Sequence, residues 1–269
     1  MTVKSVRHIL SLSGGKDSAA LAIYMRDRVP DMEYIFHDTG EELPETYKYL
    51  DQLAAKLGKK IHATRPDYSF KKWLDVYGGM IPSNHRRWCT RMLKLKPFED
   101  FVGDDPVINY VGIRADEERV GYISHKPNIK AVYPFREDGL VRADIIRILE
   151  ENGLGLPKYT QWGRTRSGCY FCFYQQKIEW VKLKETHSDL FDQAKEYEYA
   201  NKKNGNAFYW NGDEPLEELE RPERMEEIKR EWEENRERRK KRSVNLVHIL
   251  GGLDEEEEEE REGCLICQI

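Results

Sequence analysis

Six consecutive residues, Ser13-Gly14-Gly15-Lys16-Asp17-Ser18, carry the clearest chemistry in the chain. Two adjacent glycines let the backbone turn tightly and aim its N–H groups at an anion. The apolar segment behind them, 19–25, reads as a buried helix. Its N-terminus adds partial positive charge. Lys16 supplies a full charge, and Ser13 and Ser18 supply hydroxyls. Asp17 is suited to cap the helix or to hold Mg²⁺. Ser11 stands in the strand that feeds the loop. The spacing differs from Gly-x-x-x-x-Gly-Lys-Ser/Thr, so this is a phosphate loop of another kind than Walker A.

Cysteine is the second chemistry. Cys169-Tyr170-Phe171-Cys172 puts two thiolates within reach of one metal or cluster. Cys89 lies beside Arg86, Arg87 and Arg91, whose charge favours thiolate. Cys264 and Cys267 form a second pair near the C-terminus. Five Cys is an odd number and too few for a secreted disulfide scaffold. Two Cys-x-x-Cys pairs in an intracellular-looking chain point to metal or redox chemistry. The bound group is a metal, with zinc one choice, or an iron–sulfur cluster; unligated core thiols are the bland alternative.

The elements that position these residues alternate. Strand signals fall at 7–12, 33–37, 60–64 and 108–113, and helix signals at 19–25 and 44–57. Pro44 suits the first turn of its helix. The pattern predicts an α/β fold, a mostly parallel twisted sheet with helices on both faces. Asp38 then ends a strand at the carboxyl edge, where such sheets bind ligands. Further helices are expected at 142–151, 175–186, 189–203 and 216–242, the last interrupted near its start by Pro222. The organisation expected is a nucleotide-binding domain over 1–150, a helical Cys-x-x-Cys region over 151–250, and a disordered acidic tail over 251–269.

The 269 residues have a formal net charge of −5. Residues 254–262 hold eight acids and one base, which leaves the other 260 at +2. Basic clusters at 86–96 and 236–242, with Arg164 and Arg166 beside the Cys pair, could track a phosphate backbone. No apolar run reaches the roughly 18 residues needed to span a bilayer, and the first residues lack the apolar stretch of a signal peptide. A cytoplasmic protein with no membrane partner is expected.

The loop closely resembles the PP-loop, Ser-Gly-Gly-x-Asp-Ser, of ATP pyrophosphatases, which adenylate a substrate and release pyrophosphate. Phe36-His37-Asp38-Thr39-Gly40 with Pro44-Glu45-Thr46 resembles the Asp-Thr-Gly…Pro-Glu-Thr signature of phosphoadenylyl-sulfate (PAPS) reductases and their relatives. Gly112-Ile113-Arg114, running on to Arg119, and Cys89-Thr90-Arg91-Met92-Leu93-Lys94 resemble two more blocks of that family. The fold implied is that of the adenine nucleotide alpha-hydrolases. The implied ATP site comprises Ser11, Ser13 to Ser18, His37, Asp38, Gly112 and Arg114. Lys16, Asp17, Ser18 and Arg114 would act in the chemistry, with Mg²⁺. Cys89, Cys169 and Cys172 match three ligands of a 4Fe–4S cluster in the iron–sulfur members, with zinc as the alternative.

PAPS reductases have lost the full loop, so its retention argues for ATP and cleavage between the α- and β-phosphates. The pattern is closest to the ATPases of DNA phosphorothioation systems (Dnd and Ssp types). That implies a nucleic-acid acceptor, DNA ahead of tRNA, and a cysteine desulfurase as sulfur donor. Cys264 would relay persulfide sulfur on a swinging tail. The alternatives are a PAPS or APS reductase with Cys264 as attacking thiol, and a nucleotide-binding regulator without catalysis.

Overall fold

The computed structural model describes residues 5–250, apart from 119–120, 122–123, 125, 204, 206–207 and 213. Arg119, the acidic tail, Cys264 and Cys267 lie outside the described residues. Five parallel strands form one sheet in the order β3-β2-β1-β4-β5: β1 (Arg7–Leu12), β2 (Glu33–His37), β3 (Ile61–Thr64), β4 (Val107–Tyr110) and β5 (Ile129–Val132). The expected α/β architecture with helices on both faces is present. The chain builds outward from β1 to β3, then returns to the other side of β1 for β4. The carboxyl ends of β1 and β4 therefore flank a switch point, the usual ligand crevice of such sheets.

Alternation along the strands sorts the two faces. Leu10, Leu12, Tyr34, Phe36 and Tyr110 face one side, against α1 (Lys16–Met25), α2 (Pro44–Leu57) and α7 (Arg142–Glu151). Ile9, Ile35, Val107 and Ile129 face the other, against Phe98 and Val102. Those two belong to a helical run that the sequence reading left unassigned: α4 (Trp88–Thr90), a π-helical turn (Arg91–Leu95) and α5 (Lys96–Val102). Pro97 has no N–H to give the carbonyl of Leu93 and its ring crowds that turn. The helix widens there, and Lys96 N–H bonds back to the Arg91 carbonyl.

A second core joins α3 (Phe70–Val76) and Trp88 to the C-terminal helices α8 (Lys177–Thr186), α9 (Ser188–Lys203), α10 (Leu216–Leu219) and α11 (Pro222–Leu250). It draws on both sides of the expected boundary at residue 150. The single helix expected over 216–242 is two. Pro222 opens α11 at its first position, where its missing N–H costs nothing, and α10 ends before it. Between β5 and α7 lies the short α6 (Pro134–Glu137). No helix among the described residues is long and apolar enough to cross a membrane.

Candidate functional site

The phosphate loop is shaped by its own hydroxyls. Ser18 Oγ accepts from the Ser13 N–H at 3.2 Å and donates to the Gly15 carbonyl at 3.2 Å. Ser13 Oγ accepts from the Gly15 N–H at 3.3 Å. Gly14 sits at φ +74°, and a Cβ there would come 2.3 Å from Thr46 Cγ2 of α2. Glycine is therefore required twice over, by conformation and by close approach. Tyr159, fully buried, donates to the Gly14 carbonyl at 3.3 Å.

Asp17 does not cap the helix. Gly15 is the N-cap and lends no side chain. Asp17 instead sits in the first turn, with Oδ2 3.2 Å from Lys16 Nζ and Oδ1 3.1 Å from Arg114. Arg114 arrives from the loop after β4 and is only 2% exposed. It also meets Asp116 at 3.0 Å and Glu117 at 3.1 Å. One buried guanidinium thus ties the β4 loop to the N-terminus of α1. Gly112 lets the same loop close on α1: a Cβ there would stand 3.1 Å from the Asp17 carbonyl oxygen.

Asp38 closes the crevice from the end of β2. It accepts from Tyr47 at 2.8 Å and from the Gly40 N–H at 3.0 Å, and Arg65 approaches to 3.3 Å. His37 is buried, with Nδ1 2.7 Å from Thr64 Oγ1. Burial, with the charge of Lys94, pushes its pKa down to about 3, so it is neutral. His37 Nε2 and Ser11 Oγ are both buried without a hydrogen-bond partner. Both lie on the α5 face of adjacent strands, below the surface, with hydrogen-bonding capacity unused. The sequence-predicted nucleotide residues are therefore gathered at one sheet edge.

The three described cysteines line one cavity of about 490 Å³, counting its open mouth, with Thr39, Lys94, Phe171, Phe173, Tyr174 and Trp210 among its walls. Cys169 Sγ lies 3.4 Å from Thr39 Oγ1, which donates to Glu42 Oε1 at 2.7 Å. Burial pushes the Cys169 thiol well above its usual range, with Glu42 adding to the effect and Lys94 opposing it. Arg164, 2% exposed, holds the Cys-x-x-Cys turn by donating to the carbonyls of Cys169 (2.8 Å) and Arg166 (3.1 Å) and to Gln175 Oε1. Gln175 returns a bond to the Tyr170 carbonyl at 2.6 Å. Arg87, expected to poise Cys89, directs its guanidinium at Tyr174, donating to the hydroxyl with the ring centroid 5.3 Å away.

Among the described residues, no three His, Cys, Asp or Glu side chains are gathered tightly enough for a single metal ion. Three thiols lining an aromatic-walled cavity are a donor set for a thiophilic group, an iron–sulfur cluster or zinc. For Mg²⁺, both Asp17 oxygens are already engaged by cations, so the ion would rest mainly on phosphate oxygens.

The two halves of the site touch. A Cβ on Gly15 would stand 2.9 Å from Ser167 Oγ, two residues before Cys169. Thr39 follows Asp38 directly and reaches the Cys169 sulfur. Thr39, Glu42, Thr46, Lys94, Tyr159 and Ser167 were absent from the sequence-based site. For Thr39 and Thr46 the signal was available, since both lie inside the Asp-Thr-Gly…Pro-Glu-Thr signature.

Residues 7–130 match the family model of the phosphoadenosine phosphosulfate reductase domain. An uncharacterised protein of Methanocaldococcus jannaschii is 30% identical over 210 residues, covering 73% of this chain; the chain spans 42% of that relative's length. Two solved structures are similar. PAPS reductase from Candida auris in a phosphate complex is 17% identical, with a TM-score of 0.48 over 61% of this chain and 82% of that one. The U34-tRNA thiolase from Methanococcus maripaludis with its 4Fe–4S cluster is 13% identical, with a TM-score of 0.41 over 75% and 72%.

Proposed function

We propose that the protein is an ATP pyrophosphatase that activates an oxygen for replacement by sulfur, with a nucleic-acid acceptor and, specifically, a DNA backbone phosphate. The observation that carries this reading is the contact between phosphate loop and thiol cavity, through Ser167 on Gly15 and Thr39 on Cys169. A nucleotide held over residues 13–18 would place its α-phosphate beside the wall of that cavity.

The loop N–H groups, the α1 N-terminus and Lys16 hold the β- and γ-phosphates, with Mg²⁺ carried on their oxygens. An acceptor oxygen attacks the α-phosphorus, the bond to the β-phosphate oxygen breaks, and pyrophosphate leaves. Lys16 and the N–H groups stabilise the charge that grows on it. Persulfide sulfur from a cysteine desulfurase, released as hydrosulfide by a two-electron thiol reductant that becomes a disulfide, then attacks the activated centre, and AMP leaves with the acceptor oxygen. A 4Fe–4S cluster on Cys89, Cys169 and Cys172 would supply a binding place for that sulfur. Arg164 fixes the Cys-x-x-Cys turn, Thr39 steadies the Cys169 sulfur, and neutral His37 and Ser11 offer hydrogen bonds to the nucleotide. Arg114 orders Asp17 and the loop.

The test is product analysis with anaerobically purified protein, ATP and oligonucleotide acceptors. AMP and pyrophosphate in equal amounts are expected, and Lys16→Ala should lower the rate by about 10²–10³. ADP and phosphate, or no product with any acceptor, would overturn the reading. The reductase-domain match favours one rival, reduction of PAPS or APS. Sulfite release dependent on Cys264 would establish it instead. ATP binding without any product would leave a regulator.

A further inference from the structure

Beside the site runs an exposed aromatic face that the mechanism does not use. Tyr68 is 48% exposed and Tyr77 38% exposed, and Val76 between them is 56% exposed. Trp73 links the tyrosines: its ring lies 5.3 Å from Tyr68 and 6.1 Å from Tyr77. The Tyr77 ring in turn stacks on Trp88 at 5.0 Å and 16°. Phe70, Leu74 and Trp88 from this region are buried in the second core. Tyr68 and Tyr77 cap that core from the water side and leave their own faces open.

Charge surrounds the rings. Residues 65–91 contain six Lys or Arg against two Asp. Arg65, Lys71, Lys72, Arg86 and Arg91 are exposed, while Asp67 is drawn to Lys96 at 2.8 Å. Open rings interleaved with exposed cations are what a single nucleic-acid strand needs: bases stack on the rings and phosphates follow the cations. A protein partner would call for a broader apolar patch with fewer charges.

The face also joins the two halves of the site. Arg65 stands 3.3 Å from Asp38 at the nucleotide edge. At the other end Trp88 precedes Cys89, which lines the thiol cavity. A strand lying from Arg65 to Tyr77 would thus pass alongside both the activating nucleotide and the sulfur carrier.

We propose that Tyr68, Trp73 and Tyr77, rimmed by Arg65, Lys71, Lys72 and Arg86, form the docking platform for a single strand of DNA. The proposal rests on the acceptor reading above and gives the acceptor its place.

The experiment is fluorescence anisotropy of a labelled single strand of about 12 nucleotides, titrated with the full chain across a salt series. A duplex and an RNA of the same sequence serve as competitors. Tyr68→Ala and Tyr77→Ala should each weaken binding by roughly fivefold to 150-fold, the range for loss of one base–ring stack. Tyr77→Trp should retain wild-type affinity, because a ring of either kind stacks; circular dichroism checks that Tyr77→Ala keeps its fold. Affinity should fall with salt at a slope of about −2 to −3, for three or four phosphates neutralised. Duplex or RNA that competes better than the single strand would overturn the assignment. So would equal affinity in Tyr68→Ala, a variant whose ring is half exposed and whose loss leaves the core intact. Wild-type protein that yields AMP and pyrophosphate with an acceptor but binds no single strand would refute the platform while leaving the proposed function standing. AMP formation lost with strand binding preserved would do the reverse.

Discussion

Removing the Arg114 side chain should be among the most damaging single changes in the nucleotide-binding half of the protein. The guanidinium is 2% exposed and reaches Asp17, Asp116 and Glu117, whose side chains are each 11% exposed. Arg114→Ala would leave those carboxylates largely desolvated with their shared cation gone, though Lys16 still faces Asp17 at 3.2 Å. Breaking a buried ion pair from one side costs about 3–5 kcal/mol. For a domain of this size each kcal/mol lowers Tm by about 2–4 °C, so a fall of roughly 6–20 °C is expected by differential scanning calorimetry. Arg114→Lys keeps the charge but loses the planar fork, and should fall in between. A Tm shift under 2 °C for Arg114→Ala at neutral pH would refute the view that this one cation holds the β4 loop to α1.

Gly14→Ala should disable the loop more than it destabilises the fold. It forces a side chain into left-handed backbone at about 1–2 kcal/mol and into Thr46 Cγ2; isothermal titration should show at least tenfold weaker ATP binding. Arg164→Ala frees the Cys169–Cys172 turn from its buried anchor. Iron per chain after anaerobic purification should then fall well below wild type, and unchanged iron would count against the anchor. Glu198, buried and accepting the N–H groups of Trp210 and Leu216 at 2.9 Å each, has its pKa raised by burial to about 7. Its folded value lies above the unfolded one, so the stability it contributes is present below about pH 4.5 and is lost as pH rises through about 7. Urea midpoints across that window should fall more steeply for wild type than for Glu198→Gln; parallel curves would show that Glu198 does not titrate there.

Much of the nucleotide half was legible because its signals are local. Ser13 to Ser18 is a contiguous hexapeptide between a strand and a helix, and β1 and β2 show as short apolar segments buried on successive residues. The edge strand β5 was not legible: Ile129–Val132 is four residues with a half-exposed face. The run from Trp88 to Val102 was masked by Pro97, which breaks the helical rule yet is absorbed by the π turn. Strand order depends on packing between segments and has no local trace. The same holds for the thiol cavity. Cys169 was expected to meet Cys89 only by resemblance, and Thr39 meets Cys169 from 130 residues away. Arg114 was legible as functional, but its burial among three carboxylates was not, because acids nearby in sequence also suit a surface ion pair.

The central claim is that phosphate loop and thiol cavity work as one site, the first activating the acceptor and the second delivering sulfur. It is tested most directly by counting AMP released and labelled sulfur incorporated in the same reaction, with ATP, DNA acceptor, a cysteine desulfurase supplying the sulfur and a thiol reductant supplying two electrons per sulfur. The account predicts one sulfur incorporated per AMP in wild type, loss of both in Lys16→Ala, and loss of incorporation with pyrophosphate release retained in Cys169→Ser. Incorporation unchanged in Cys169→Ser, or sulfur chemistry that proceeds without AMP, would contradict it.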